Sequence, residues 1–302
     1  MPSRSSPRPC PWPRACALAL VVVAGVAKVQ AQTDPPADPT TPDLGNPGAT
    51  YPLWEVGLYP LATWEPAYPG SDEHLRKVAI LPYAVFRGSL WRIERGGVGV
   101  RALKTPRFEW DVSASGAFGS SASDVRARAG MPGIDTLVQL GPALRVNIGD
   151  LVAAGGDPRA TRIELPVRAV FDASRQLGLE GWTMQPEIMH VAWRGASSSI
   201  VVEANMLFAD RRYASLFYGV DPAYATPDRP AYAARPGLVS SGLAVYWRTQ
   251  LNSRLRMQWF VEAQTVRGGA NEDSPLVRRR QDVGLGASLT WAAFVSHERG
   301  AE

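Results

Sequence analysis

Cysteine is nearly absent from this sequence. Its two cysteines, Cys10 and Cys16, both lie close to the N-terminus. The rest of the chain has no thiol, which excludes a disulfide scaffold, a cysteine metal site and a cysteine nucleophile. Histidine is almost as scarce. His74, His190 and His297 are scattered, whereas a metal centre needs three or four converging ligands. His190 is the one candidate base for a Ser-His-Asp hydrolase, and no G-x-S-x-G signal accompanies it. Gly284-Leu285-Gly286 is followed by no helical pattern, so it is not a phosphate loop. Long apolar runs are missing after position 30, which argues against membrane-spanning helices. No helical stripe of useful length appears between Tyr51 and Phe294. Together these absences point to a non-enzymatic, all-β chain without a cofactor.

The N-terminus reads as a secretory signal. Arg4, Arg8 and Arg14 precede an apolar run from Ala15 to Ala27, and Val29-Gln30-Ala31 ends in small residues. Cleavage is expected after Ala31. An apolar run of about 13 residues is too short for a membrane anchor. The segment carries four basic residues and no acid, so the remaining chain holds 28 residues of each sign and is near neutral. The sequence pI of about 9.2 therefore belongs partly to the signal, and no case for nucleic-acid binding survives its removal. Residues 32–50, rich in Pro, Asp and Thr, read as a flexible periplasmic leader.

From Tyr51 onward the apolar residues alternate with period two. Leu255, Met257, Trp259, Val261 and Ala263 share one face, opposite Arg254, Arg256, Gln258, Glu262 and Gln264. The same pattern recurs near 106–118, 136–148, 161–173 and 281–294. These segments are longer than ordinary strands and match the about 9–11 residues that a tilted strand needs to cross a bilayer. About twelve strands are expected, near 53–63, 76–87, 89–95, 97–104, 106–118, 136–148, 161–173, 181–194, 197–209, 238–251, 253–267 and 281–294. Long connections (64–75, 119–135, 174–180, 210–237, 268–280) alternate with tight ones such as Gly88-Ser89, Thr105-Pro106, Gly195-Ala196 and Asn252-Ser253. The hairpin at Gly96-Gly97 and the longer turn at 149–160 break that rule. The asymmetry fits one antiparallel transmembrane β-barrel over residues 51–294, in the outer membrane of a Gram-negative bacterium, with a polar tail at 295–302. Many of the ten Trp and nine Tyr, including Trp54, Trp64, Trp182, Trp193 and Trp247, fall near strand ends, where the headgroup level favours them.

In such a barrel the polar face lines the interior. The candidate lumen residues are Glu109, Asp111, Arg145, Arg162, Glu164, Arg168, Glu187, Glu203, Arg254, Arg256 and Glu262. Their mixed signs suit a salt-bridged, filled lumen, with a narrow selective pore as the alternative.

Several short segments resemble, in order, those of the MipA/OmpV family. They are Trp54-Glu55-Val56-Gly57, Pro66-Ala67-Tyr68-Pro69-Gly70-Ser71-Asp72-Glu73 and Leu81-Pro82-Tyr83. Next come Gly130-Met131-Pro132-Gly133-Ile134-Asp135 and Gly141-Pro142-Ala143-Leu144. Tyr213-Ala214 with Phe217-Tyr218-Gly219-Val220, Tyr232 to Gly237, and Asp273-Ser274-Pro275-Leu276-Val277 complete the set. The resemblance spans about 50 to 294. It implies an outer-membrane barrel, for the namesake a scaffold joining a lytic transglycosylase to a bifunctional penicillin-binding protein, and no catalytic residues. Adhesion, stress response and antibiotic uptake are associated with other members. The C-terminus departs from the family pattern, because Phe294 is out of phase with Trp291. Either a bulge lies between them or Trp291 ends the assembly signal. Three functions are expected, in order of preference: a scaffold for murein-remodelling enzymes, a narrow channel for small solutes or antibiotics, and an outer-membrane hydrolase.

Overall fold

The structure, a computed structural model, describes residues 52–87, 91–94, 97–100, 103–104, 108–117, 125–149, 160–173 and 177–298. The expected signal at 1–31, the leader at 32–50, the turns at Gly88-Ser89 and Thr105-Pro106 and most of 149–160 lie outside the described residues. The strands are β1 (Trp54–Pro66), β2 (His74–Arg87), β3 (Trp91–Glu94), β4 (Gly97–Val100), β5 (Leu103–Lys104), β6 (Phe108–Ala117) and β7 (Leu137–Asn147). They continue as β8 (Thr161–Asp172), β9 (Gly178–Met184), β10 (Glu187–Arg194), β11 (Ser198–Ala209), β12 (Gly237–Asn252), β13 (Leu255–Thr265) and β14 (Gln281–Val295).

All of them belong to one antiparallel sheet. Its order is β4-β3-β2-β1-β14-β13-β12-β11-β10-β8-β7-β6-β5, with β9 between β8 and β11. The first and last strands are neighbours, Leu58 facing Trp291 and Trp64 facing Leu285. The two ends of the path, β4 and β5, are consecutive in the chain, and β4 also lies against β6.

Among the described residues there are 14 strand elements. One expected strand is in two pieces. The segment expected at 181–194 divides at Gln185-Pro186 into β9 and β10, which share the same lane between β8 and β11. Pro186 has no N–H to give to the ladder. Within the segment expected at 97–104, β4 and β5 stand on either side of residues outside the described set. The expectation of strand pattern throughout is also corrected. An α-helix, α1 (Arg211–Tyr218), interrupts it, capped by Asp210, whose side chain accepts from Tyr213 N–H at 2.9 Å. That Asx cap and the buried Tyr213, Ala214, Phe217 and Tyr218 on one side form a helix of only two turns, too short to register as a periodic stripe.

The two faces of the sheet are inverted relative to a soluble protein. The exposed face is apolar: Val78 is 73% and Ile80 66% exposed, and Leu243, Val245, Trp247, Trp259, Val261, Leu285 and Trp291 are exposed as well. The opposite face buries charge, with Glu55, Glu65, Glu109, Arg145, Glu164, Arg168 and Glu203 all under a tenth exposed. Period-two alternation over strands of 10 to 16 residues produces this separation directly. At the C-terminus the register slips between Val56 and Gly57, whose partners are Phe294 and Ala292. Ala293 is thus the extra residue of a bulge, and both Trp291 and Phe294 reach the exposed face. Strand β14 extends to Val295, and Ser296 N–H donates to Trp54 O at 2.9 Å.

One patch of wall is poor in donors. Pro142 on β7, Pro166 on β8 and Pro186 beside it are close neighbours, and the β7–β8 pairing jumps from Leu140–Ala169 to Ala143–Pro166. There the backbones come so close that a Cβ on Gly141 would stand 1.9 Å from Val167 O. Replacing Gly141 by Ala is expected to abolish the compact, heat-modifiable form on a detergent gel. Leu140→Ala, at an exposed neighbouring position, is expected to retain it.

Candidate functional site

The long connections fold into a structure of their own at one end of the sheet. Residues 67–73, 125–136, 210–236 and 266–280 converge there on a single apolar cluster. Tyr68, Val125, Tyr213, Phe217, Tyr218 and Leu276 are among its fully buried members. Tyr213 and Phe217 are spaced i,i+4 on α1, with ring centroids 5.1 Å apart. Tyr68 meets Tyr218 edge-on at 6.3 Å.

Hydrogen bonds stitch these loops together across long stretches of sequence. Tyr68 O–H donates to Leu276 O at 2.7 Å, and Tyr218 O–H to Pro69 O at 2.8 Å. Ser274 Oγ donates to Tyr218 O at 2.7 Å and accepts from Leu276 N–H at 3.2 Å. Gly70 O accepts from both Arg278 N–H and Arg279 N–H, at 2.7 and 3.0 Å. Gly70 has φ +97°, a left-handed conformation that side-chain-bearing residues avoid, and Val277 packs against the space its Cβ would take. Ser71 is fully buried and pairs with the backbone of Glu73. Two buried arginines act as backbone clamps. Arg128 donates to Phe217 O and Pro132 O, and Arg229 to Ala127 O, Ala129 O and Tyr224 O. Beside them opens a cleft of about 690 Å³, lined by Arg128, Ile134, Asp172, Glu180, Leu216 and Tyr232 among others.

The motif residues singled out in the sequence divide into two groups. Tyr68, Gly70, Ser71, Pro132, Gly219, Ser274 and Pro275 all come together in this cap. Pro82 and Tyr83 stand on β2, opposite Leu58 and Gly57, and Gly141 and Pro142 on β7, opposite Ser113 and Val112. No periodicity signals the cap. Its only trace in the sequence is the set of motif fragments, each too short to reveal that they touch.

The charged candidates are distributed as follows. Glu109, Arg145, Glu164, Arg168 and Glu203 are buried, and Arg162, Glu187, Arg256 and Glu262 half-buried, on the same face of the sheet. Arg145 Nε lies 3.1 Å from Glu164 Oε1, and Arg162 Nη1 lies 3.7 Å from the same oxygen. Arg254 is an exception: it sits exposed in the turn between β12 and β13. Asp111 is described only by its ladder position opposite Ala143. Sequence reasoning missed Glu55, which accepts from Arg256 Nη2 at 2.6 Å, and Lys77, 3.9 Å from Glu65. Both Glu55 and Glu65 fall in phase with Tyr59 and Leu61 on β1, so the alternation rule applied there would have found them. Between the charges, Met189, Val201, Ala244, Tyr246 and Phe260 form an apolar plug on the buried face.

Two of the three histidines have neighbouring side-chain partners. His74 opens β2 rather than lying in a loop; it stacks on Trp64 at 4.0 Å and is 2.8 Å from Asp282. His190 pairs with Thr161 Oγ1 at 2.8 Å. Among the described residues no group of three or more His, Asp or Glu gathers to hold a metal ion.

A family model described as MltA-interacting protein MipA matches residues 57–293. No curated protein matches the chain at a significant level. Solved structures resemble it distantly. One is a Pseudomonas aeruginosa FadL homologue, 10% identical, covering 70% of this chain and 60% of its own, with a TM-score of 0.29. Another is an outer-membrane channel from Pseudomonas putida F1, 11% identical, covering 86% and 99%, with a TM-score of 0.34. A third is the Ralstonia pickettii toluene transporter TbuX, 10% identical, covering 79% and 69%, with a TM-score of 0.27.

The cap generates two expected outcomes. Phe217→Ala empties its centre and is expected to cost about 3–5 kcal/mol, read as rapid trypsin cleavage near Arg229 and Arg278 while heat-modifiability persists. Burial raises the Tyr68 and Tyr218 hydroxyls above their ordinary value of 10.0. The folded cap therefore holds these protons more tightly than the unfolded loops, and its stability, full below pH 10, falls as pH rises beyond it. Protease sensitivity of the loops should increase above about pH 10, and less so in Tyr68→Phe.

Proposed function

This chain belongs to the MltA-interacting protein MipA family, and we propose that it is a closed outer-membrane barrel that scaffolds murein-remodelling enzymes rather than conducting solute. Closure is inferred from the path of the sheet. Its two ends, β4 and β5, are consecutive in the chain; β4 pairs with β3, β5 pairs with β6, and β4 also lies against β6. In hydrocarbon an open edge would leave backbone groups unpaired at several kcal/mol each, and a closed wall avoids this. The apolar exposed face, with Trp54, Trp193, Trp247 and Trp291 toward the short-turn end and Trp64 and Trp182 toward the other, is the surface such a barrel shows to lipid. In that setting the capped end faces outward, and the short turns and both chain termini face the periplasm.

The observation that supports the scaffold reading is a buried face rich in paired charge and apolar contacts. Ion pairs such as Arg145–Glu164 and Arg256–Glu55 and the cluster around Tyr246 and Phe260 put side chains where a pore would need water. A stiff, salt-bridged wall suits a protein whose work is done at its periplasmic rim. There the leader at 32–50, the 149–160 turn and the C-terminal tail are available to a lytic transglycosylase and a penicillin-binding protein, as the family's description suggests. In planar bilayers the refolded chain is expected to give no stable conductance steps. Affinity capture from cross-linked cells is expected to recover a lytic transglycosylase. Steady ohmic steps would favour the channel instead, and capture free of any murein enzyme would remove the scaffold role.

A further inference from the structure

Charge is not spread evenly around the capped end. Arg76 on β2, Arg267 just beyond β13, and the run Arg278-Arg279-Arg280 leading into β14 are all exposed. They stand at the loop ends of β2, β14 and β13, with β1 lying between β2 and β14 in the sheet. Among the described residues, Arg76, Arg267, Arg278 and Arg280 have no ion-pair partner. Arg279 Nη1 is 3.8 Å from Asp282, but that carboxylate is already 2.8 Å from His74. Glu73, the next carboxylate along the rim, is taken by Arg126 at 2.5 Å, with Asp72 close by. Elsewhere at this end the exposed Arg126, Arg212 and Arg235 stand within 4.0 Å of Glu73, Glu180 and Asp273, and Arg211 is exposed on α1; the arc is distinguished by arginines that share a single ion pair, Arg279–Asp282, among the described residues.

These arginines are held in place. Arg278 and Arg279 N–H groups are fixed on Gly70 O, and Arg280 O accepts from Val266 N–H and Thr265 Oγ1, each at 3.0 Å. Arg76 lies on the apolar exposed face, two residues or about 7 Å along the strand from Val78, the most exposed aliphatic of that wall. Its ladder partner is Trp64, whose ring is suited to the headgroup level. A guanidinium at such a boundary matches a phosphate with two parallel hydrogen bonds, and its charge is otherwise uncompensated.

We propose that this arc of the rim binds the phosphates of a phosphorylated glycolipid headgroup in the outer leaflet, using Arg76, Arg267 and Arg278–Arg280 with Trp64 beneath them. The proposal rests on the membrane-barrel reading above.

The test uses the full chain folded in detergent micelles, titrated with bisphosphorylated lipid A or its dephosphorylated form and read by native mass spectrometry. The comparison protein carries R76Q, R267Q, R278Q and R280Q, which leaves the Arg279–Asp282 pair in place. The phosphorylated lipid is expected to bind the unaltered chain at least about tenfold more tightly than it binds the variant. The dephosphorylated lipid is expected to bind both equally and weakly. Equal affinity of the two proteins for the phosphorylated lipid, or of the unaltered chain for the two lipids, overturns the proposal. So does complete displacement by millimolar inorganic phosphate, which would mark a free-ion site. An unaltered chain that never shows heat-modifiable migration strikes instead at the barrel reading, and this proposal falls with it.

Discussion

The constraint on which this structure turns is the backbone's need for hydrogen-bond partners where water cannot supply them. An apolar outer face would be hazardous on an isolated strand. It becomes stable only when each strand has a neighbour on both sides and every N–H and C=O is answered within the wall. The pairing of β1 with β14 answers that need for the first and last of the described strands. Where prolines withdraw donors, at Pro142, Pro166 and Pro186, the chain compensates locally: Gln185 N–H reaches Pro166 O and Met206 N–H reaches Pro186 O.

Much of this wall is legible in the sequence because alternation is local and periodic. Trp259 and Gln258 declare opposite faces without reference to anything distant, and the structure gives them opposite exposures. The bulge that brings Trp291 and Phe294 to one face is visible as a phase error. Other features depend on what the chain meets after folding. Arg254 continues the alternation perfectly yet sits in a turn, because the pattern does not mark where β12 stops and β13 begins. The break at Pro186 is written in the sequence, but its neighbours on both sides carry the apolar pattern through it.

The cap is far less legible, for a physical reason. Its stability comes from contacts between residues separated by up to about two hundred positions, such as Tyr68 with Leu276, and irregular loops have no period to read. The short motifs shared with the family hold the information, but only as isolated fragments. Their meaning appears in three dimensions: glycine where a carbonyl must accept two N–H groups, a serine whose hydroxyl holds the Tyr218 carbonyl, tyrosines whose hydroxyls tie one loop to the next. Most of the fragments record a packed lid, and three of them, at Trp54-Glu55-Val56-Gly57, Leu81-Pro82-Tyr83 and Gly141-Pro142, record the wall itself.

The meeting of β1 with β14 also dictates an order of events. Strand β1 cannot find this partner, nor Tyr68 its anchor at Leu276, until more than two hundred further residues have been made. A nascent chain thus carries the oily stripe of β1 for a long interval with neither seam nor lid available. Contacts so distant in sequence make folding intrinsically slow and leave the apolar face open to wrong partners in the meantime.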